Sequence, residues 1–445
     1  MKKQVHGILC GMVCLSILLV LQNAAFVVAG TVEEKIRREA DYILTCQYLN
    51  PSHPAHGAIN NVYGKPTWVV PRENGMAILG LILASEVLHD TSYLAKANLA
   101  ADYLVSIQDS QDGAWANQYN YTAVVDAAKS PTQTAEVMIA LAKLGYRHSR
   151  YTAMKKGAQY LLECQKVENI GGVDHGLVGG GKDGNGVYQS WRWTSDNAYT
   201  YWALKAAERW AIWENDLAFA ATCSQNAQRI LHGIDTYLYN PATFVWYTAI
   251  DQNGVPQQLC NQPNWIQYAP QMLDLPAKGV NLPQVGEWIH QTFQQTDGAC
   301  IHYDCQEGGL KIRKYPGYSF QASLCWLDLY QDSYATAAMS WAENSGLWQI
   351  LPDGSGVTGG WIDWQEISPN PGQTADWWQR FIDTSFYSMA CWNGGYDFRI
   401  PLVIPEEPTP GQPTVVPEPA SGVFIILGLA GLGMLIWRRR RIRGR

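Results

Sequence analysis

Charge is scarce in this chain, and positive charge is scarcer. Only 16% of its 445 residues are Asp, Glu, Lys or Arg, against about a quarter in an average soluble domain. Lys and Arg number 32 against 39 Asp and Glu. The two ends hold eight of the basic residues (Lys2, Lys3 and six arginines from Arg438 onward) and one acid, Glu418. Between them 24 basic residues face 38 acidic ones, a net charge of −14. A nucleic-acid binder carries the opposite sign, so no nucleic acid is expected as a partner. There is no pair of CxxC motifs, which argues against a structural zinc site. The stretch Gly179-Gly180-Gly181-Lys182-Asp183-Gly184-Asn185-Gly186 lacks the spacing of a phosphate-binding loop and reads as a flexible loop. No calcium-loop signature occurs either. No cofactor is expected and no metal ligands are assigned, which leaves binding of a metal by loop carboxylates open.

Aromatics are abundant, with 19 Trp and 24 Tyr. Their faces suit stacking on sugar rings, but large folds also bury many of them. Of ten Cys, Cys10 and Cys14 fall in the first apolar run. The other eight are compatible with disulfides in an oxidising compartment. Cys300 and Cys305 are near in sequence, and Cys325 and Cys391 fall on helices expected to be neighbours, yet spacing fixes no pairing.

The ends carry addresses. Lys2 and Lys3 precede an apolar run from Ile8 to Leu21 and small residues at Ala24, Ala25, Ala29 and Gly30. This predicts a secretory signal peptide over residues 1–30. At the other end Val416-Pro417-Glu418-Pro419 leads into an uncharged run from Ala420 to Trp437, then Arg438 to Arg441. Eighteen apolar residues reach across a bilayer as a helix, and the arginines stay on the cytoplasmic side. The layout resembles the PEP-CTERM sorting signal of Gram-negative bacteria. That resemblance implies export, processing by an exosortase-type enzyme, and a place at the membrane or cell surface alongside exopolysaccharide. The expected plan is a signal peptide over 1–30, a folded domain over 31–400, a proline-rich spacer over 401–416, and the sorting signal with its transmembrane helix over 417–445.

The folded stretch repeats itself. Tyr42-Ile43…Gln47, Tyr103-Leu104…Gln108 and Tyr160-Leu161…Gln165 share one pattern, their tyrosines 61 and 57 residues apart. The second copy continues into Asp112-Gly113-Ala114-Trp115. This is similar to the QW-type repeat of the α/α-toroid superfamily, which includes terpenoid cyclases and prenyltransferases. The chemistry of those relatives is not implied. The DxDD motif of the cyclases and the GCGEQ thioester motif of complement-like toroids are missing, and His302, Asp304 and Cys305 have the wrong spacing for the prenyltransferase zinc site.

Six stretches are apolar nearly all round: about 73–88, 131–145, 195–211, 264–275, 316–330 and 383–392. Each follows a more one-sided stretch: about 32–48, 92–108, 150–165, 216–238, 283–295 and 333–345. All-round apolar helices are buried and one-sided ones face solvent. The expectation is an all-α fold, an (α/α)6 toroid with an inner ring inside an outer ring. Two smaller helical domains are the alternative. The outer-to-inner links are long (about 109–131, 166–194, 239–263, 296–315 and 346–382), so long loops collect on one face, where inner helices present free N–H groups.

Candidate chemistry is sought on that face. Asp196 opens the third inner helix within Trp191-Arg192-Trp193-Thr194-Ser195-Asp196-Asn197, and Asp383 opens the sixth; capping alone accounts for many such residues. Asp363 lies between Trp361 and Trp364 beside the Gly359-Gly360 turn, and His302 and Tyr303 follow the Asp297-Gly298 turn. Glycoside hydrolysis needs two carboxylates. A polysaccharide lyase needs a base such as Tyr303 or His302 and a neutraliser such as Arg192 or the Lys311-Ile312-Arg313-Lys314 run. The expectation is a carbohydrate-active enzyme on extracellular polysaccharide, with Asp196 and Asp363 as acid and base and Asp383 in reserve. Trp115, Trp191, Trp193, Trp361 and Trp364 would line subsites. The alternative is a non-catalytic toroid that binds polysaccharide or an envelope protein.

Overall fold

The computed structural model describes residues 30–399, apart from 64–67, 167–173, 258–263, 277–281, 305–310, 349–358, 369 and 376–380. The expected signal peptide, spacer and sorting signal lie outside the described residues. Among the described residues no helix is long and apolar enough to cross a membrane.

Two kinds of helix alternate along the chain. The first kind comprises α1 (Val32–Thr45), α3 (Thr91–Ile107), α5 (His148–Lys166), α7 (Leu217–Gly233), α9 (Leu282–Phe293) and α11 (Asp332–Asn344). The second comprises α2 (Pro71–Leu88), α4 (Pro131–Lys143), α6 (Thr194–Trp213), α8 (Asn264–Met272), α10 (Pro316–Asp328) and α12 (Ile382–Trp392). In α4 every residue from Pro131 to Ala142 is buried. In α3 burial is confined to one face, from Tyr93 through Ala97, Ala100 and Leu104 to Ile107. The all-round apolar helices therefore form the inner ring: α2, α4, α6, α8, α10 and α12 each pack on the next, and α12 packs back on α2. The odd-numbered helices lie outside, as α3 on α2, α7 on α6 and α11 on α10. This closed double ring is an (α/α)6 toroid.

The repeat has a structural meaning. The amide of Gln108 donates to Gly113 O (2.7 Å) and to Ala153 O of α5 (2.9 Å). Gln47 does the same to Gly57 O and Lys96 O, and Gln165 to Gly176 O and Asn226 O. A fourth member, Gln294, holds Gly298 O and Tyr334 O. Each glutamine thus ties the end of one outer helix to its exit turn and to the next outer helix. The four turn glycines have positive φ (98°, 78°, 69° and 96°), and a Cβ on Gly298 would lie 2.3 Å from Ala337 O. Only glycine fits such a turn.

A second device fixes the loops over the inner ring. Asn74 bonds both backbone groups of Ile59, Asn197 those of Val178, and Gln267 those of Trp246. Ser319 accepts from Cys300 N in the corresponding place. Each of these residues sits in the first turn or so of an inner helix, so helix start and incoming loop are set together.

The fold departs from all-α in those loops, where short strands pair. The strands β8 (Ile301–Asp304), β9 (Lys311–Lys314) and β10 (Gln365–Ser368) form one antiparallel sheet from two loops distant in sequence. Three more small sheets among the described residues are built from pieces of two to four residues: β1 (Gln118–Asn120) with β2 (Ala123–Asp126), β3 (Arg192–Trp193) with β6 (Ala249–Ile250) and β7 (Pro256–Gln257), and β4 (Tyr239–Asn240) with β5 (Val245–Trp246). The glycine-rich stretch is a fixed clasp rather than a flexible loop: Lys182 bridges to Lys129 and Tyr188, and its ammonium binds Asp112 at 2.7 Å. Cys46, Cys164, Cys223, Cys300, Cys325 and Cys391 are buried free thiols, so Cys325 and Cys391 do not pair. Cys260 and Cys305 lie outside the described residues.

Candidate active site

Proline at the first position of α2, α4 and α10 pre-sets the backbone for a helix start. The residues that follow point into the barrel axis from several sides: Arg72 and Glu73 from α2, Thr132 and Glu136 from α4, Tyr199 from α6, Tyr318 and Gln321 from α10, Asp383 and Tyr387 from α12. They enclose two connected spaces. An outer cleft of about 330 Å³ is lined by His302 of β8, Asp363, Phe381, Asp383, Arg72 and Tyr318. Beside it lies an inner chamber of about 90 Å³, where Thr132, Glu136 and Tyr199 replace His302 and Asp363. Arg72, Glu73, Tyr318, Gln321 and Asp383 border both.

The electrostatics are unusual because acids outnumber the cation. Arg72 Nη2 stands 3.4 Å from Glu73 Oε1. Its side chain keeps 47% of its surface open, and that surface faces the cleft. Burial opposes its charge, but Glu73, Glu136 and Asp383 overcome this and raise its pKa. Burial pushes Glu136 up to about 8, with Asp383 and Asp196 adding to it and Arg72 opposing. Burial also pushes Asp363 up to about 8, helped by the nearby Asp383 and opposed by Arg313. Glu73 rises as well, from burial and then Asp383. Asp383 rises through burial but is restrained by Arg72 and by Thr384 N–H, 2.7 Å from its Oδ1. Tyr199, Tyr318 and Tyr387 are all pushed up by burial, so none is a ready tyrosinate.

Of the residues expected from sequence, Asp363, Asp383 and His302 line the cleft together. Asp196 stands one layer behind: 6% exposed and pushed up to about 7 by burial, it accepts a hydrogen bond from Thr132, whose side chain reaches the chamber. Tyr303 lies on β8, and its side chain is outside the described residues.

Two expected subsites are corrected. Trp115 has no exposed surface, and its indole N–H donates to Leu104 O (2.7 Å) inside the wall. Trp361 is equally buried and packs on Phe320, Trp348 and Trp392. Neither can touch a sugar ring. Arg192 is 3% exposed and turned away from Trp191 and Trp193 by strand alternation, so it does not neutralise a ligand in the cleft. Trp364 is half-buried under the guanidinium of Arg313, 3.8 Å from its ring centre. Trp191 and Trp193 stack at 5.7 Å and 22° and line a separate surface pocket of about 220 Å³ with Gly180 and Gln189. Among the described residues no cluster of three or more His, Cys, Asp or Glu is arranged for a metal.

Sequence reading missed Arg72, Glu73, Glu136 and the chamber tyrosines. A signal was present. Glu73 and Glu136 are acids inside helices otherwise chosen for burial, and an acid there has a partner or a task.

Residues 415–441 match the family model of the PEP-CTERM protein-sorting motif. No curated protein matches the chain in sequence. Among solved structures, a D-mannose isomerase matches at 15% identity with a TM-score of 0.56, over 82% of this chain and 96% of that one. A cellobiose 2-epimerase from Bacillus thermoamylovorans B4167 matches at 10% identity and a TM-score of 0.59, over 81% and 98%. A glycosidase variant in complex with glucose matches at 13% identity and a TM-score of 0.56, over 82% and 97%. The chain therefore carries a PEP-CTERM sorting motif behind a body with the (α/α)6 toroid fold that these sugar-acting proteins share.

Proposed function

We propose that this chain is an exported carbohydrate-active enzyme that hydrolyses glycosidic bonds of an extracellular polysaccharide in the axial cleft. The observation that carries the reading is the pair Asp363 and Asp383, which border one cleft in different surroundings. Asp363, pushed up to about 8, keeps its proton at neutral pH and donates it to the leaving oxygen. Asp383, held by Arg72 and a backbone N–H, is the partner carboxylate that faces the developing positive charge of the sugar or activates water. Asp196 steadies Thr132 from behind, and His302 offers a hydrogen bond to the substrate from the rim.

Hydrolysis is favoured over elimination by a tyrosine base on one ground. A lyase needs a base of low pKa, and burial raises the pKa of every chamber tyrosine. A cleft of about 330 Å³ is at the small end for ligand pockets, which suits a chain end better than a long run of polymer. The stacked Trp191 and Trp193 would guide the polymer from outside, and the C-terminal span would hold the enzyme at the membrane until an exosortase-type enzyme processes the tail.

The test is to incubate the protein with a panel of neutral and uronate polysaccharides, following reducing ends and the absorbance of unsaturated products together. Reducing ends alone support hydrolysis. Both signals together mean a lyase. Binding with neither signal supports the non-catalytic alternative, for which the Trp191–Trp193 pair would be the contact.

A further inference from the structure

Three side-chain oxygens of the inner chamber have no hydrogen-bond partner. Glu73 and Glu136 are each 5% exposed and Gln321 is 8% exposed, and all three border the chamber. Oε2 of Glu73, Oε2 of Glu136 and Oε1 of Gln321 are buried without a hydrogen-bond partner. Three orphaned acceptors in a space of about 90 Å³ are costly, because a buried acceptor left unbonded carries its full desolvation penalty. An ammonium group has three donors and no acceptor, so its needs match theirs. A divalent metal fits less well, since calcium takes six to eight oxygens.

We propose that the inner chamber recognises the free amine of an amino sugar, with Glu73, Glu136 and Gln321 as its acceptors. The inference rests on the axial cleft being the sugar site and narrows its substrate class to polysaccharides that carry unacetylated amino sugars. Glu136 lines the chamber alone, Glu73 and Gln321 border both spaces, and Asp363 lines the cleft alone, so the amine anchors the terminal residue while the bond to the next sugar lies in the wider cleft. The groups that act on Glu136 from the surrounding helices are Arg72, Glu73, Asp196, Tyr199, Asp383 and Tyr387. Burial keeps Glu136 protonated at pH 6. A bound ammonium favours the ionised carboxylate, so its entry expels a proton.

Titration calorimetry of the full chain at pH 6 with glucosamine, glucose, N-acetylglucosamine, glucuronate and calcium chloride tests this. Glucosamine is expected to bind at least about 10-fold tighter than glucose or N-acetylglucosamine. It should also release protons, read as a heat that changes with the ionisation enthalpy of the buffer. Glu136→Gln keeps the shape, and should bring the glucosamine-to-glucose ratio near one. Equal affinity for glucosamine and glucose, preference for glucuronate, or binding of calcium alone overturns the proposal. If polysaccharide is still hydrolysed in that case, only the amine preference falls. If no sugar binds and no polysaccharide is cleaved, the hydrolase reading falls with it. Proton release is measured on the unaltered chain and stands whether or not the variant folds.

Discussion

Asp363 illustrates how far a single residue can be read. Its place between two tryptophans and beside a double glycine marks it in the sequence as a loop carboxyl on the reactive face. Its proton comes from its surroundings, burial and the neighbouring Asp383, which no local motif records. Asp363→Asn and Asp383→Asn are each expected to lower kcat by about 10²–10⁴ with the fold intact, checked by reducing-end assays beside circular dichroism. Trp115→Ala should behave in the opposite way. It empties a fully buried site and costs about 3–5 kcal/mol of stability in denaturant melts. Trp115 and Trp361 were misplaced as subsites because a count of aromatics cannot separate stacking platforms from core. Glu73 and Glu136 were passed over because apolar neighbours made their helices read as pure packing.

At the scale of elements the sequence was far more legible. The expected inner helices over 73–88, 131–145 and 316–330 correspond to Pro71–Leu88, Pro131–Lys143 and Pro316–Asp328. Apolarity all round against apolarity on one side is a strong contrast, and each ring demands one of them. The fourth repeat glutamine, Gln294, escaped notice because Ile289 stands where the other copies have tyrosine. The strands escaped because pieces of two to four residues, paired between distant loops, leave no period to read. The role of the turn glycines is open to a matched comparison. Gly298 and Gly394 both have positive φ, but only at Gly298 would a Cβ meet a backbone carbonyl, at 2.3 Å. Gly394→Ala should cost about 1 kcal/mol and Gly298→Ala clearly more, read as a lower urea midpoint at unchanged slope. Equal costs would mean that the exit turns do not lock adjacent outer helices.

For the whole molecule, the buried acids make stability depend on pH in an unusual sense. Glu136, Asp196 and Asp363 have folded-state values of about 8, 7 and 8, all raised by burial. An unfolded carboxyl titrates near ~4. Between these values the folded protein holds protons that the unfolded chain has released. Their contribution is therefore complete below about pH 4 and is lost as pH rises through about 8. The thermal midpoint is expected to fall between pH 5 and pH 8.5, and to fall less in Glu136→Gln. A midpoint that climbs over that range would show that the axial acids are ionised and compensated. The closed ring followed from helix alternation, whereas the acid-rich axis depends on inner helices distant in sequence meeting in space.

The most direct measurement is a structure of the Asp363→Asn protein with an oligosaccharide that the unaltered protein cleaves. The account predicts a sugar in the axial cleft, its glycosidic oxygen beside residue 363, its ring over Asp383 and its end residue in the chamber under Arg72. An oligosaccharide bound only across Trp191 and Trp193, with none in the axial cleft, would contradict it.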